Sequence, residues 1–261
     1  MLAAQRRELL LHHLATDGRV VAKDLAAELG LSEDSIRRDL RALAAEGLCQ
    51  RVYGGALPSS PAIADYRTRQ GVHPGGKARV AQAAARLIEP GSTVILDGGT
   101  TALAVAQVLP PDLTATIVTH SPTVAAALAD HPRVEVLIIG GRLFKHSVVA
   151  CGAAAVEAAQ QVNADLFLLG VTGVHPHAGL TTGDADEAAM KRVLAGCAAE
   201  TYVLASAEKI GAASPFTVLP LHDVTAVITE APPDSPAVRE LADAGIRFVD
   251  ASAGGRQREE T

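Results

Sequence analysis

From Thr93 onward the chain alternates short, unbroken apolar runs with longer stretches whose apolar positions recur every three or four residues. The runs Thr93–Asp97, Thr116–Thr119, Val134–Ile139, Leu166–Gly170, Thr201–Ala205, Thr225–Thr229 and Arg247–Asp250 predict seven strands. Most are apolar throughout, the pattern of a strand covered on both faces. Between or before them, Lys77–Ile88, Thr101–Leu109, Pro122–Ala129, Gly152–Gln161, Asp186–Ala199 and Pro236–Ala244 carry the helical period. Strand and helix in alternation predict an α/β unit over residues 77–250 with a mostly parallel sheet. In such sheets ligands collect at the carboxyl ends of the strands.

The first sixty residues are patterned differently. A helix is predicted over Ala3–Ala15, with Leu9, Leu10 and Leu14 on one face and Asp17-Gly18 ending it. A short helix follows over Ala22–Leu29. Gly30 permits a sharp turn, and Ser32 is placed to cap a third helix over Glu33–Glu46. On that helix Ile36, Leu40 and Leu43 form an apolar stripe. Arg37, Arg38 and Arg41 face the other way, with Ser35 on the flank near the start. Alternation through Leu48–Ala56, ending in Gly-Gly, predicts a small β-wing that presents Arg51 and Tyr53. Three arginines on a helix are more often a solvated face paired with acidic neighbours such as Glu33, Asp34 and Asp39. Turn, cap, stripe and wing together favour a winged helix-turn-helix that enters a DNA groove.

Residues 1–57 thus form one expected domain, 58–76 a linker through Pro58-Ser59-Ser60-Pro61 and Val72–Gly76, and 77–250 a second domain. A disordered tail is expected over 251–261. Charge follows the same division. The first 60 residues hold eight basic and eight acidic side chains; the remainder holds 15 and 21, which accounts for the net charge of −6. A neutral head on an acidic body suits two parts with different partners. Hydrophobic residues make up 48% of the 261, enough for a packed core, and no apolar run is long enough to span a membrane. No signal peptide is expected. Three widely spaced cysteines, Cys49, Cys151 and Cys197, suit a reducing cytoplasm.

Polar and glycine-rich motifs fall at the predicted strand ends. Asp97-Gly98-Gly99-Thr100-Thr101 leads into a helix, where converging backbone amides and two hydroxyls suit an anion. As a lone pattern it is more often a plain tight turn, and it is not a nucleotide-binding signature. Thr119-His120-Ser121 and Gly140-Gly141-Arg142 follow the next two strands. Glu187 and Lys191 lie one helical turn apart, the usual spacing of a surface ion pair, and Lys209 follows the strand ending at Ala205. His175-Pro176-His177 reads as a surface loop, since a metal site needs more ligands. No metal and no cofactor is expected.

The string Val21–Leu40, with Ser32-Glu33-Asp34-Ser35-Ile36-Arg37-Arg38-Asp39-Leu40 at its end, resembles the DNA-binding domain of the DeoR family of bacterial sugar-catabolism regulators. So does Gly47-Leu48 followed by Arg51-Val52-Tyr53-Gly54-Gly55-Ala56, where Tyr53 replaces the family's usual His. The order of the later motifs resembles the family's C-terminal domain, which is related in fold to ribose-5-phosphate isomerase and glucosamine-6-phosphate deaminase. The resemblance runs from about Gln5 to Glu230. It implies a DNA-reading surface of Lys23, Ser32, Ser35, Arg37, Arg38, Arg41, Arg51 and Tyr53. It also implies a sugar-phosphate pocket of Asp97, Gly98, Gly99, Thr100, Thr101, Thr119, His120, Ser121, Gly140, Gly141, Glu187, Lys191 and Lys209. His120 and Ser206 depart from the family's Thr-Asn-Ser and Asp-Ser-Ser-Lys patterns. The implied function is an operator-binding repressor of a carbohydrate-catabolism operon. It would act as a homo-oligomer, dimer or tetramer, released or engaged by a phosphorylated sugar and without membrane association. The alternative is a sugar-phosphate isomerase or deaminase with a DNA-binding appendage, in which Glu187 and Asp97 would do acid–base work.

Overall fold

The computed structural model describes residues 2–252. The N-terminal unit comprises α1 (Ala3–Thr16), β1 (Val20–Val21), α2 (Ala22–Leu29), α3 (Glu33–Ala45), β2 (Cys49–Val52) and β3 (Gly55–Pro58). Each helix matches its expected stretch to within a residue. Gly30 takes the left-handed backbone (φ +63°) that ends α2, and the Ser32 hydroxyl accepts the Ser35 amide at 3.3 Å to start α3. Leu10, Leu14, Leu25, Ile36, Leu40 and Leu43 fill the core between the helices. Arg6 to Asp39 and Arg7 to Glu46 tie α1 to α3 and to its C-cap. The wing is an antiparallel sheet in the order β1-β3-β2. Gly55 is required there: a Cβ would lie 1.8 Å from the Val20 carbonyl oxygen.

Two helices, α4 (Tyr66–Gly71) and α5 (Pro74–Ala85), lead into the α/β body. There follow β4 (Thr93–Leu96), α6 (Thr100–Gln107), β5 (Ala115–Thr119), α7 (Pro122–Leu128), β6 (Val134–Ile138), β7 (Arg142–Phe144), β8 (Val149–Cys151) and α8 (Ala153–Ala159). The chain continues with β9 (Ala164–Gly170), β10 (Gly173–His175), β11 (Gly179–Thr182), α9 (Ala185–Gly196) and β12 (Ala198–Leu204). It ends with β13 (Phe216–Leu219), β14 (Ala226–Thr229), α10 (Pro236–Asp243) and β15 (Phe248–Asp250). All seven expected strands join one sheet in the order β15-β14-β12-β9-β4-β5-β6, parallel throughout. Alternate residues serve opposite faces. Ile95, Phe167 and Val203 pack with Ala155, Met190 and Leu194 of α8 and α9. Val94, Leu96, Leu168 and Leu204 pack with Val80, Val105 and Leu128 of α5, α6 and α7. The sheet is therefore the middle of three layers.

The structure departs from the sequence pattern in three places. Strand β6 lies at an edge of the sheet and exposes Leu137 and Ile138, so its apolar run does not signal burial on both faces. Short strands form a β7–β8 hairpin and a β10-β11-β13 sheet that the apolar runs do not announce, because three or four residues carry too little periodicity. Finally, the expected linker 58–76 is not an open spacer. Ser59 bridges to Ala213, Pro61–Ile63 makes a 3₁₀ turn, α4 packs near α6, and α5 begins at Pro74. Of the expected tail, residues 253–261 lie outside the described residues, whereas Ala251 is buried and the Ser252 amide donates to Asp250.

Candidate functional site

The carboxyl ends of β4, β9 and β12 converge, and the polar groups gather there. Asp97, just past β4, is fully buried. One of its oxygens accepts the Gly98 amide and the His120 Nε2, each at 2.7 Å. The other accepts the Gly170 amide at 2.8 Å and the Lys191 ammonium. Burial alone would raise the pKa of Asp97. The Lys191 charge and the hydrogen bonds from His120 and Lys191 outweigh it, holding the carboxyl well below the usual range. Lys191 is shifted upward: burial opposes the charged form, and Asp97 and Glu187 more than compensate. The second ring nitrogen of His120 faces the Ala150 carbonyl at 2.8 Å, so both nitrogens must carry a proton for both bonds to form.

Above this buried base lies a small cavity lined by Gly98, Gly99, Thr100, Thr101, Glu187, Lys191 and Lys209, all expected from the sequence. Arg69, Lys77 and Glu208 line it as well. Gly99 turns the chain into α6 with φ +98°, and a Cβ on Gly98 would meet Val149 at 2.1 Å, so the cradle depends on both glycines. Lys209 donates to the Thr101 hydroxyl at 3.2 Å and the Leu204 carbonyl at 3.1 Å. Lys77 donates to the Arg69 carbonyl. Arg69 reaches Ser147 Oγ at 3.2 Å and the His146 carbonyl at 3.3 Å, while its buried Nε has no partner among the described residues. None of these three cations touches a carboxylate within ion-pair distance among the described residues. Burial accordingly lowers all three, Lys209 to about 8. Glu208 acts on Lys77 and Lys209, and Glu187 on Arg69, only through space, and burial outweighs both. Three desolvated cations with no carboxylate in direct contact, beside a glycine turn and a helix start, suit an anion. Glu187 accepts from Thr182 at 2.9 Å and Ser147 at 3.3 Å and borders the same cavity.

Not every expected residue reaches the cavity. Asp97 and His120 lie beneath it, as the buried support just described. Thr119 and Ser121 serve the local backbone: Thr119 Oγ1 accepts the Ser121 amide, and Ser121 caps α7. Gly140 and Gly141 lie elsewhere, Gly141 packed against Ala155 and the Cys151 carbonyl. Close packing explains Gly141 alone, since a Cβ on Gly140 would have nothing within 4 Å, and neither glycine lines the cavity. Arg69 and Lys77 carry no motif in the sequence, because Arg69 falls inside the expected linker 58–76 and Lys77 is the first residue after it. One signal was present. Lys77 sits in the first turn of α5 behind Pro74, where the helix dipole disfavours a cation unless an anion is near.

In the N-terminal unit, Lys23, Arg37, Arg38, Arg41, Arg51 and Tyr53 are all exposed, Tyr53 at the wing tip. Ser32 and Ser35 hydrogen-bond to each other at 2.9 Å at the start of α3. Arg37 pairs with Glu33 at 2.6 Å on the same helix. Arg41 donates to the Arg37 carbonyl, and Arg38 makes no ion pair among the described residues. Asp39, which could have neutralised this face, is held by Arg6 instead. The arginine face is open to solvent.

Comparison with known proteins divides the chain in the same way. The DeoR-like helix-turn-helix domain matches residues 6–61, and the DeoR C terminal sensor domain matches residues 72–231. The HTH-type transcriptional regulator GlpR of Haloferax volcanii is 33% identical over 256 residues, 97% of this chain and 100% of that one. A putative aga operon transcriptional repressor of Escherichia coli is 30% identical, covering 94% of this chain and 93% of its own. The glycerol-3-phosphate regulon repressor of Escherichia coli is 29% identical over 95% of this chain and 99% of its own. These are names of regulators, not of enzymes. Among solved structures, ribose 5-phosphate isomerase A of Methanocaldococcus jannaschii overlaps 49% of this chain and 50% of its own, at 16% identity and a TM-score of 0.36.

Proposed function

The chain belongs to the DeoR family, and from that premise we propose that it is a transcription regulator, a repressor of a carbohydrate-catabolism operon, whose operator affinity is set by a phosphorylated sugar. The observation that carries this reading is the seat formed by Arg69, Lys77 and Lys209, three buried cations with no carboxylate in contact, over the Gly98-Gly99-Thr100-Thr101 turn. A phosphoryl group supplies the missing charge, and Glu187 and Thr182 are placed for sugar hydroxyls. The DNA-facing set is Lys23, Ser35, Arg37, Arg38, Arg41, Arg51 and Tyr53, with Ser32 as the cap that orients α3.

The route from sugar to DNA runs through residues 58–76. The free space in the cavity is about 20 Å³, room for about one water, so a sugar phosphate enters only as its walls move. Arg69 of α4 is one wall, and Ala62 of the 3₁₀ turn is another. The chain then reaches β3 of the wing within four residues. Displacing that strap re-aims the head. Coupling of this kind is typically ~1–3 kcal/mol, or roughly 5- to 150-fold in operator affinity. A homo-oligomer matches paired half-sites, and the exposed Leu137 and Ile138 on the free edge of β6 support an interface there. No helix among the described residues is long and apolar enough to cross a membrane, and we place the protein in the cytoplasm.

The test has two arms on the full chain. A thermal-shift screen with ribose 5-phosphate, fructose 6-phosphate and glucosamine 6-phosphate should show stabilisation by at least one, lost in Lys209→Met. A duplex selected from a random pool should bind in a gel-shift titration, and Arg38→Ala should weaken it. If Arg37→Ala and Arg38→Ala both leave that affinity unchanged, the reading of α3 is wrong.

A further inference from the structure

We propose that His73, Glu208 and Glu230 form a site for a divalent transition-metal ion of the zinc or manganese class, at the start of α5 beside the sugar-phosphate cavity. A ring nitrogen of His73 and a carboxylate oxygen from each glutamate lie within 4.8 Å of one another. Ligand atoms around an ion at ~2.1 Å stand roughly 3.4 Å apart, so small side-chain rotations close the set. One imidazole with two carboxylates suits zinc or manganese better than calcium or magnesium.

The independent observation is the state of the two carboxylates. The Glu230 side chain is 2% exposed. One oxygen accepts the Ala207 amide at 3.1 Å, and the other has no partner among the described residues. Glu208 repeats the pattern, with one oxygen held by Ser206 at 2.7 Å and the other buried without a partner. A buried, unsatisfied carboxylate oxygen is costly, and two beside each other are more so. No cation among the described residues contacts either free oxygen, and Lys77 and Lys209 act on Glu208 only through space. The Lys77 ammonium is committed to the Arg69 carbonyl, and that of Lys209 to Thr101 and Leu204. Arg79 reaches only the already bonded oxygen of Glu230, at 4.0 Å. A metal ion satisfies both free oxygens at once. His73 adds a further sign. It holds a left-handed backbone (φ +45°), unfavourable for a residue with a Cβ, in a stretch where glycine stands at 71, 75 and 76. His73 is exposed, so an ion can enter from solvent. By contrast, the His175-His177 pair is already used. His175 accepts the amides of His177 and Ala178, and His177 meets Arg19 and Glu240.

The experiment is isothermal titration of EDTA-stripped full chain with Zn²⁺ and Mn²⁺, with melting followed by circular dichroism. One ion per chain is expected, with a rise in Tm. Glu230→Gln should weaken binding at least tenfold. So should His73→Gly, which suits the local backbone and guards against a folding defect in the first variant. His177→Ala should leave affinity unchanged. The proposal is overturned if neither ion binds at millimolar concentration, or if binding survives both Glu230→Gln and His73→Gly. It is also overturned if binding is lost only in His177→Ala. Stabilisation by glucosamine 6-phosphate that depends on Glu230, with no response to either metal, overturns it too, because the glutamates would then be holding an ammonium.

Discussion

In the reading proposed above, the head and the body both present basic side chains to an anion, under opposite physical conditions. On α3 the arginines are in water, where charge costs little and acts through counterion release. In the body, Arg69, Lys77 and Lys209 are stripped of water before any ligand arrives, and the same charge becomes a liability that the ligand relieves. One surface can read many DNA sequences weakly and one well. The other, as proposed, is silent until a small anion of the right shape completes it.

The largest expected consequence lies in the body. Lys209→Met should lower sugar-phosphate affinity by about 2–5 kcal/mol, roughly 30-fold or more, measured by calorimetry. It should at the same time raise the ligand-free melting temperature, because an unpaired buried charge is replaced by an apolar side chain of similar length. A variant that loses both binding and stability would erase the contrast. In the head, Arg38→Ala should reduce operator affinity by roughly 5- to 150-fold if it reads a base, and flatten the salt dependence by about one unit of slope if it holds a phosphate. Its melting temperature should not change.

Next is pH. Burial holds Lys209 down to about 8, and a bound phosphate favours its charged form. Above pH 8 the free protein must therefore take up a proton to bind, and affinity should fall by up to tenfold per pH unit, while DNA affinity through the arginines stays flat. The sign for stability is the reverse. The folded lysine loses its proton before the unfolded one does, so this group destabilises the ligand-free protein most below pH 8. That penalty is relieved as pH rises towards 10.5. An affinity for sugar phosphate that is constant from pH 7 to 9.5 would show that Lys209 does not carry the anion. The smallest effect belongs to Arg37→Ala. Arg37 already shares its charge with Glu33 in solvent, so operator affinity should drop less than for Arg38→Ala in the same gel-shift series.

The sequence by itself determined the reading head, the seven strands and their parallel class, and the glycine turn at Gly98-Gly99, because each is written in contiguous residues: a stripe every third or fourth position, an unbroken apolar run, a cap before a helix. Ser32, Ile36 and Leu40 announce α3 without help from the rest of the chain. Only tertiary structure decided that Arg69 and Lys77 join Lys209, that Gly140 and Gly141 do not, and that His120 supports Asp97 from below. It also turned an apparent linker into a cavity wall and brought His73 to Glu208 and Glu230 across more than a hundred residues. Local periodicity records which face of an element is apolar. It does not record which distant elements meet, and burial of unpaired charge, the property that marks both candidate ligand sites, arises only when they do.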